Sequence, residues 1–239
     1  TVLSTIGGIA LFFDSYYFTL VIPAILLALF AQAKVQSAFA KYSQIRSLRG
    51  LTGREAAQRI LLANGITDVR FEHVAGKLTD HYDPRENVIR LSDAVDDSTS
   101  VAAIGVAAHE AGHAVQYATG YAPIRLRAAI IPVTQLGSQL SVPLILLGVF
   151  MSSQNLINYG IILFATVALF QLVTLPVEFN ASARALRAID ASGLLTEEEL
   201  SGTRKVLSAA AMTYVAALIT SFAQLLRLVL IFGGGRNRD

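Results

Sequence analysis

The sequence predicts a mainly α-helical integral membrane protein, with four transmembrane helices and a small α+β domain between them. Three observations lead there. Only 15% of the 239 residues are charged while 54% are hydrophobic, where an ordinary soluble domain carries about 25% charged residues. The charges are also clustered, with 31 of the 36 in residues 34–127 and 178–205. The other 117 residues hold only Asp14, Arg227, Arg236, Arg238 and Asp239. Finally, the apolar stretches run unbroken over span length. That excludes the short alternating strands of a membrane β-barrel and the low hydrophobicity of a disordered chain.

Residues 1–33 hold the first span. From Ser15 to Ala33 the chain is uncharged, close to the roughly 20 residues a spanning helix needs. Tyr16 and Tyr17 sit at one end, where an interfacial aromatic belt belongs. The apolar residues before Asp14, Gly7 and Gly8 among them, either extend this helix or lie in the interface. The run exceeds the apolar core length of a signal peptide, so a span is expected rather than a leader.

Residues 34–127 form the first polar island and the expected catalytic domain. Thr52 with Glu55 makes a capping box and Gly65 a stop, predicting a helix over 53–64. A strand is expected at Val69–Val74. Asp83-Pro84 with Glu86-Asn87 then reads as a turn into a second strand at Val88–Leu91. Asp96, Asp97, Ser98 and Thr99 suit the start of a long helix that runs to about Thr119 before Gly120.

Residues 128–177 contain no charge. Fifty residues are too many for one span and right for two, turned at Ser152-Ser153-Gln154-Asn155. Pro132, Pro143 and Pro176 are expected to kink or end these helices. Residues 178–205 are the second island. It holds a helix from about Val177 to Ala191 stopped by Gly193, then a second capping box, Thr196 with Glu199. Residues 206–239 supply the fourth span and a tail.

Four spans put both islands on one side of the membrane. They hold 16 of the 19 basic residues and the turn between spans two and three holds none, so the positive-inside rule makes that side cytoplasmic. A multi-pass protein of the cell membrane is the expected location, with Arg236 and Arg238 on the far side. Asp14 and Arg227, near or within spans, should pair or snorkel. A net charge of +2 without a basic, aromatic-rich cluster gives no sign of nucleic acid. The absence of cysteine excludes disulfides, thiolate ligands and a thiol nucleophile.

The chemistry lies in His109-Glu110-Ala111-Gly112-His113. Four-residue spacing stacks both imidazoles on one helical face, where they can bind the same Zn²⁺. Glu110 is then placed to act as general base toward a zinc-activated water and to return the proton to the leaving amine. A chance pairing on a surface helix is the bland alternative, but two of the chain's four histidines stand here. Catalytic zinc commonly has three protein ligands. The elongated form of the motif fails, because Gln116 and Thr119 occupy its Gly and His positions. Residues 114–177 contain no His, Asp, Glu or Cys, which makes Glu178 the first possible downstream ligand. It sits at the exit of the third span, on the membrane side of His109 and His113. Its alternative is an ion pair with Arg184 or Arg187 on the same helix.

The stretches Ala107-Ala108-His109-Glu110-Ala111-Gly112-His113-Ala114-Val115-Gln116 and Leu175-Pro176-Val177-Glu178-Phe179-Asn180-Ala181-Ser182 resemble the bacterial YugP-type neutral zinc metallopeptidases. The likeness extends over Leu78-Thr79-Asp80-His81-Tyr82-Asp83-Pro84 and the order of spans, nearly the whole chain. It implies a membrane-embedded gluzincin with a zincin-like domain and one zinc per chain. In that resemblance His109, His113 and Glu178 are the ligands and Glu110 the base. Glu178-x-x-Ala181-Ser182 is also similar to the Glu-x-x-Ala-Asp of the HtpX and CAAX-processing membrane proteases, with Ser182 in place of their Asp.

Other assignments are expectations. His81, Tyr117, Tyr121 and Arg184 are candidates to stabilise the oxyanion, and for His81 a structural role in its hairpin is the alternative. Asn180 and Ser182 are expected to orient zinc ligands. The strand at Val88–Leu91 is a possible edge for an extended peptide. The predicted function is a membrane-bound zinc endopeptidase acting on polypeptide or membrane-protein substrates, with an oligomeric or regulatory membrane partner possible. The rival enzyme is a site-2-type intramembrane protease, suggested by the apolar Val101–Ala108. A non-proteolytic membrane scaffold with structural zinc is the third reading.

Overall fold

The computed structural model describes residues 14–233. The expectations for residues before Asp14, and for Arg236 and Arg238, lie outside the described residues. The protein is mainly helical, with a three-stranded sheet. A π-helical turn (Tyr17–Val21) leads into α1 (Ile22–Ser43). Then come α2 (Gly53–Ala63), β1 (Arg70–Val74), β2 (His81–Asp83), β3 (Val88–Ser92) and α3 (Val101–Ala118). The last three helices are α4 (Ala122–Phe150), α5 (Gln154–Ala191) and α6 (Glu197–Phe232). Four helical stretches, Tyr17–Ser43, α4, α5 and α6, are long and apolar enough to cross a membrane.

The chain divides into two compact units. One comprises residues 14–31, 127–174 and 213–233, the apolar parts of those four helices. Its outer faces expose Leu26, Leu29 and Phe30, each about 60% accessible. So much bare apolar surface suits lipid rather than water. The hairpin of α4 and α5 closes on glycine: a Cβ at Gly160 would lie 2.8 Å from Ser141 O, and one at Gly137 would meet the Leu163 carbonyl. Small residues allow such backbone approach between membrane helices. Asp14 and Arg227 pair, with Oδ2 2.8 Å from Nε and 2.6 Å from the guanidinium terminus.

The other unit, residues 32–126 and 175–212, is an α+β body built around α3. Both capping boxes form. Thr52 Oγ1 accepts from Glu55 N at 3.1 Å while Glu55 Oε2 accepts from Thr52 N at 2.9 Å. Thr196 and Glu199 repeat the exchange at 3.3 and 2.8 Å. The buried core joins Ala56, Ala57, Ile60 and Leu61 of α2 to Ile89 and Leu91 of β3 and to Ile104, Ala107 and Ala108 of α3. The apolar run Val101–Ala108 is therefore apolar because protein surrounds it. That removes the observation that favoured an intramembrane site.

Three expectations need correction. The sheet order is β1-β3-β2, with β3 parallel to β1 and antiparallel to β2. The Val88–Leu91 strand is thus central and cannot be a docking edge; its Val88, Ile89 and Leu91 are fully buried, as strands covered on both faces are. Helix α3 starts later than the acidic pair suggests. Ser100 is its N-cap, accepting from Ala103 N at 3.2 Å. Asp96 is instead buried and holds Arg54 of α2 at 2.5 and 2.7 Å. Lastly, Pro176 does not end its helix: α5 runs through it from Gln154 to Ala191, so the island-two helix continues the third span.

Candidate metal centre

Helix α3 carries His109 and His113 one turn apart, with ring centroids separated by 4.7 Å. Glu178 of α5 faces both, its Oε2 lying 3.2 Å from His109 Nε2 and 3.6 Å from His113 Nε2. Ligand atoms of the three residues lie within 4.8 Å of one another. This close approach depends on Gly112. A Cβ there would sit 2.7 Å from the Ala181 carbonyl oxygen, so any larger residue would push α5 and its carboxylate off α3.

The outward nitrogens of both rings are also held. His109 Nδ1 is 3.1 Å from Ser182 Oγ, one turn beyond Glu178 on the same face of α5. His113 Nδ1 is 3.0 Å from Gln116 Oε1. Gln116, fully buried, donates its amide to Val177 O at 2.8 Å and Asn180 Oδ1 at 3.0 Å. Asn180 in turn accepts from Arg184 Nε at 2.8 Å, and that guanidinium lies over the Tyr121 ring at 5.8 Å. Partners on Nδ1 fix ring orientation so that each Nε2 faces Glu178.

Glu110 is buried beside this cluster, and its Oε2 accepts a hydrogen bond from Tyr82 N at 3.0 Å. Burial pushes its carboxyl above the ordinary range; Glu178 and Asp80 act the same way, against His109 and His113. Burial by itself would lower the His113 imidazole, yet its hydrogen bond with Glu178 and the charges of Glu110 and Glu178 hold it raised. Asp80, just before β2, is raised chiefly by burial while it accepts from Ser92 N and Oγ at 2.7 and 2.9 Å.

Of the residues singled out from the sequence, His109, His113, Glu178 and Ser182 meet directly, and Glu110 follows His109 on α3 with its carboxyl held by Tyr82 N. Asn180 joins through Gln116, and Arg184 and Tyr121 through Asn180. His81 stays out: it is exposed, and its Nδ1 lies 2.8 Å from Thr79 O within its own loop. Tyr117 packs its ring against Tyr82 at 5.7 Å. Sequence reasoning missed Gln116, although its place three residues after His113 on one helix was a usable signal. It also missed the Tyr82 main chain, for which no residue type gives a signal.

Two imidazole nitrogens and a carboxylate, with a buried acid beside them, fit the donor set of a catalytic zinc. Residues 17–233 match the family described as "Putative neutral zinc metallopeptidase". The chain belongs to that family. The Bacillus subtilis (strain 168) protein named "Putative membrane protease YugP" is 50% identical over 220 residues, covering 92% of this chain and 98% of that protein. No solved structure matches the chain.

Within this metallopeptidase family member, Gln116 is expected to matter for metal retention although it offers no ligand. Gln116→Ala should weaken zinc binding about 10–100-fold, as loss of a ligand's hydrogen-bond partner commonly does. Competition against a chromophoric chelator measures it, and affinity within twofold of the parent would remove Gln116 from the metal's support.

Proposed function

We propose that this protein is a membrane-bound zinc endopeptidase of gluzincin type. It holds one zinc per chain through His109, His113 and Glu178, and it cuts polypeptide or membrane-protein segments at the cytoplasmic face of the cell membrane. The observation that carries the reading is the convergence of His109 Nε2 and His113 Nε2 on one oxygen of Glu178, with Glu110 buried alongside. Zinc in such a site supplies a Lewis acid that polarises the substrate carbonyl and acidifies water. Three protein donors leave a coordination position open, and the cluster contains three among the described residues. A scaffold with structural zinc would need a fourth.

Glu110 accepts the proton of the attacking water and passes it to the leaving amine. The hydrogen bond from Tyr82 N fixes where its carboxylate points. Substrate is best placed along β2, an outer strand of the sheet, because an extended peptide there would pass beside Glu110. Arg184 and Tyr121 act through Asn180 and Gln116, bracing the Nδ1 side of His113.

The purified chain should contain about one zinc and cleave an unfolded protein such as casein. Dialysis against a chelator should abolish cleavage, and added zinc should restore it. Undiminished cleavage by the metal-free chain would overturn the proposal.

A further inference from the structure

Away from the metal cluster, a cavity of about 520 Å³ lies between the end of α1, the segment that follows it and the first turns of α6. Lys41, Arg46 and Lys205 line it. None of the three has an ion-pair partner among the described residues. Of the two carboxylates in the wall, Glu199 is tied to the backbone, its oxygens accepting from Leu48 N at 2.7 Å and Thr196 N at 2.8 Å. Three cations face two carboxylates, which leaves the wall net positive. The rim is apolar: Leu48 is 82% exposed and Ile45 41%.

The level of the cavity along its helices indicates what fills it. Lys34 Nζ on α1 lies 3.3 Å from Met212 Sδ on α6, which sets these antiparallel helices in register. Lys41 and Lys205 are each seven residues from that contact, about 10 Å along the axis, and so stand level across the seam. The uncharged run of α1 ends at Ala33 and that of α6 begins at Val206. The three cations therefore flank the polar ends of two spans, at the depth of the headgroup layer, where basic pockets between membrane helices take anionic lipid.

We propose that this cavity binds the phosphate headgroup of an anionic phospholipid. Lys41, Arg46 and Lys205 surround the phosphate, and Ile45 and Leu48 pack on the glycerol and first methylenes. The site rests on α1 and α6 being membrane spans and is independent of the peptidase reading. Its floor is Val101, the first residue of α3, whose N–H donates to Ile45 O at 2.9 Å. Occupancy should therefore also raise thermal stability.

The test uses the full zinc-loaded chain in mixed micelles of phosphatidylglycerol and phosphatidylcholine, read by native mass spectrometry. One phosphatidylglycerol per chain should be retained in preference to phosphatidylcholine. Lys41→Gln with Lys205→Gln should weaken retention about thirtyfold, roughly fivefold per charge. Lys41→Arg with Lys205→Arg should keep it, and Lys77→Gln should leave it unchanged. If the double glutamine variant does not fold, Lys41→Gln alone should lose about fivefold. Equal retention of the two lipids, or parental retention by the glutamine variant, would overturn the proposal. A stability gain with inorganic phosphate equal to that with phosphatidylglycerol would point to a soluble anion and overturn the lipid as its source.

Discussion

Glu110→Gln is expected to bind zinc as tightly as the parent and to lose about 10²–10⁴-fold in kcat, the range that positioned acid–base groups contribute. Glutamine has nearly the same shape, and its carbonyl oxygen can still accept the hydrogen bond from Tyr82 N. What it cannot do is take a proton. Glu110 is the acidic group beside the cluster that is outside the His109, His113, Glu178 donor set, so zinc content should stay near one per chain. The two measurements, metal content and turnover of an unfolded substrate, separate a lost base from a lost metal. KM should change little, since Glu110 anchors no part of the substrate in this reading. Activity within tenfold of the parent would remove Glu110 from the chemistry.

Much of the site was legible because its parts obey helical periodicity. His109 and His113 occupy one face by their spacing, and Ser182 follows Glu178 by one turn. Glu178 itself was found from the charge map: no ligand type exists between residues 114 and 177, and a hairpin returns the chain to the same side. The errors have a common physical origin in partners remote in sequence. Asp96 looked like a helix-start acid because acids are common there, but its partner Arg54 is 42 residues away. Strand order was likewise undetermined by the local pattern, although the nearly continuous burial along Val88–Leu91 is that of a central strand. Pro176 was expected to kink or end its helix because proline removes one helical hydrogen bond, and α5 continues through it. Glu178 follows two residues later, so the helix that leaves the membrane also delivers the carboxylate.

Glu178→Ala should lose zinc. A tetrahedral zinc site is worth roughly 10–16 kcal/mol over four ligands, so one ligand's share is about 3 kcal/mol and the dissociation constant should rise at least a hundredfold. Cleavage should fall with occupancy and recover in part at high zinc. Asp190→Ala is the control, because that carboxylate is exposed and lies three turns further along α5. The rival role for Glu178 was an ion pair with Arg184 or Arg187. Arg184 instead gives its Nε to Asn180, while Glu178 is 2% exposed and turned to the two imidazoles. The two roles predict different outcomes. A structural ion pair would make Glu178→Ala less stable with zinc affinity unchanged. A metal ligand would make stability depend on zinc in the parent and not in the variant. Melting both proteins with and without a chelator therefore decides the matter: the parent should fall toward the variant when zinc is withdrawn, and the variant should not move.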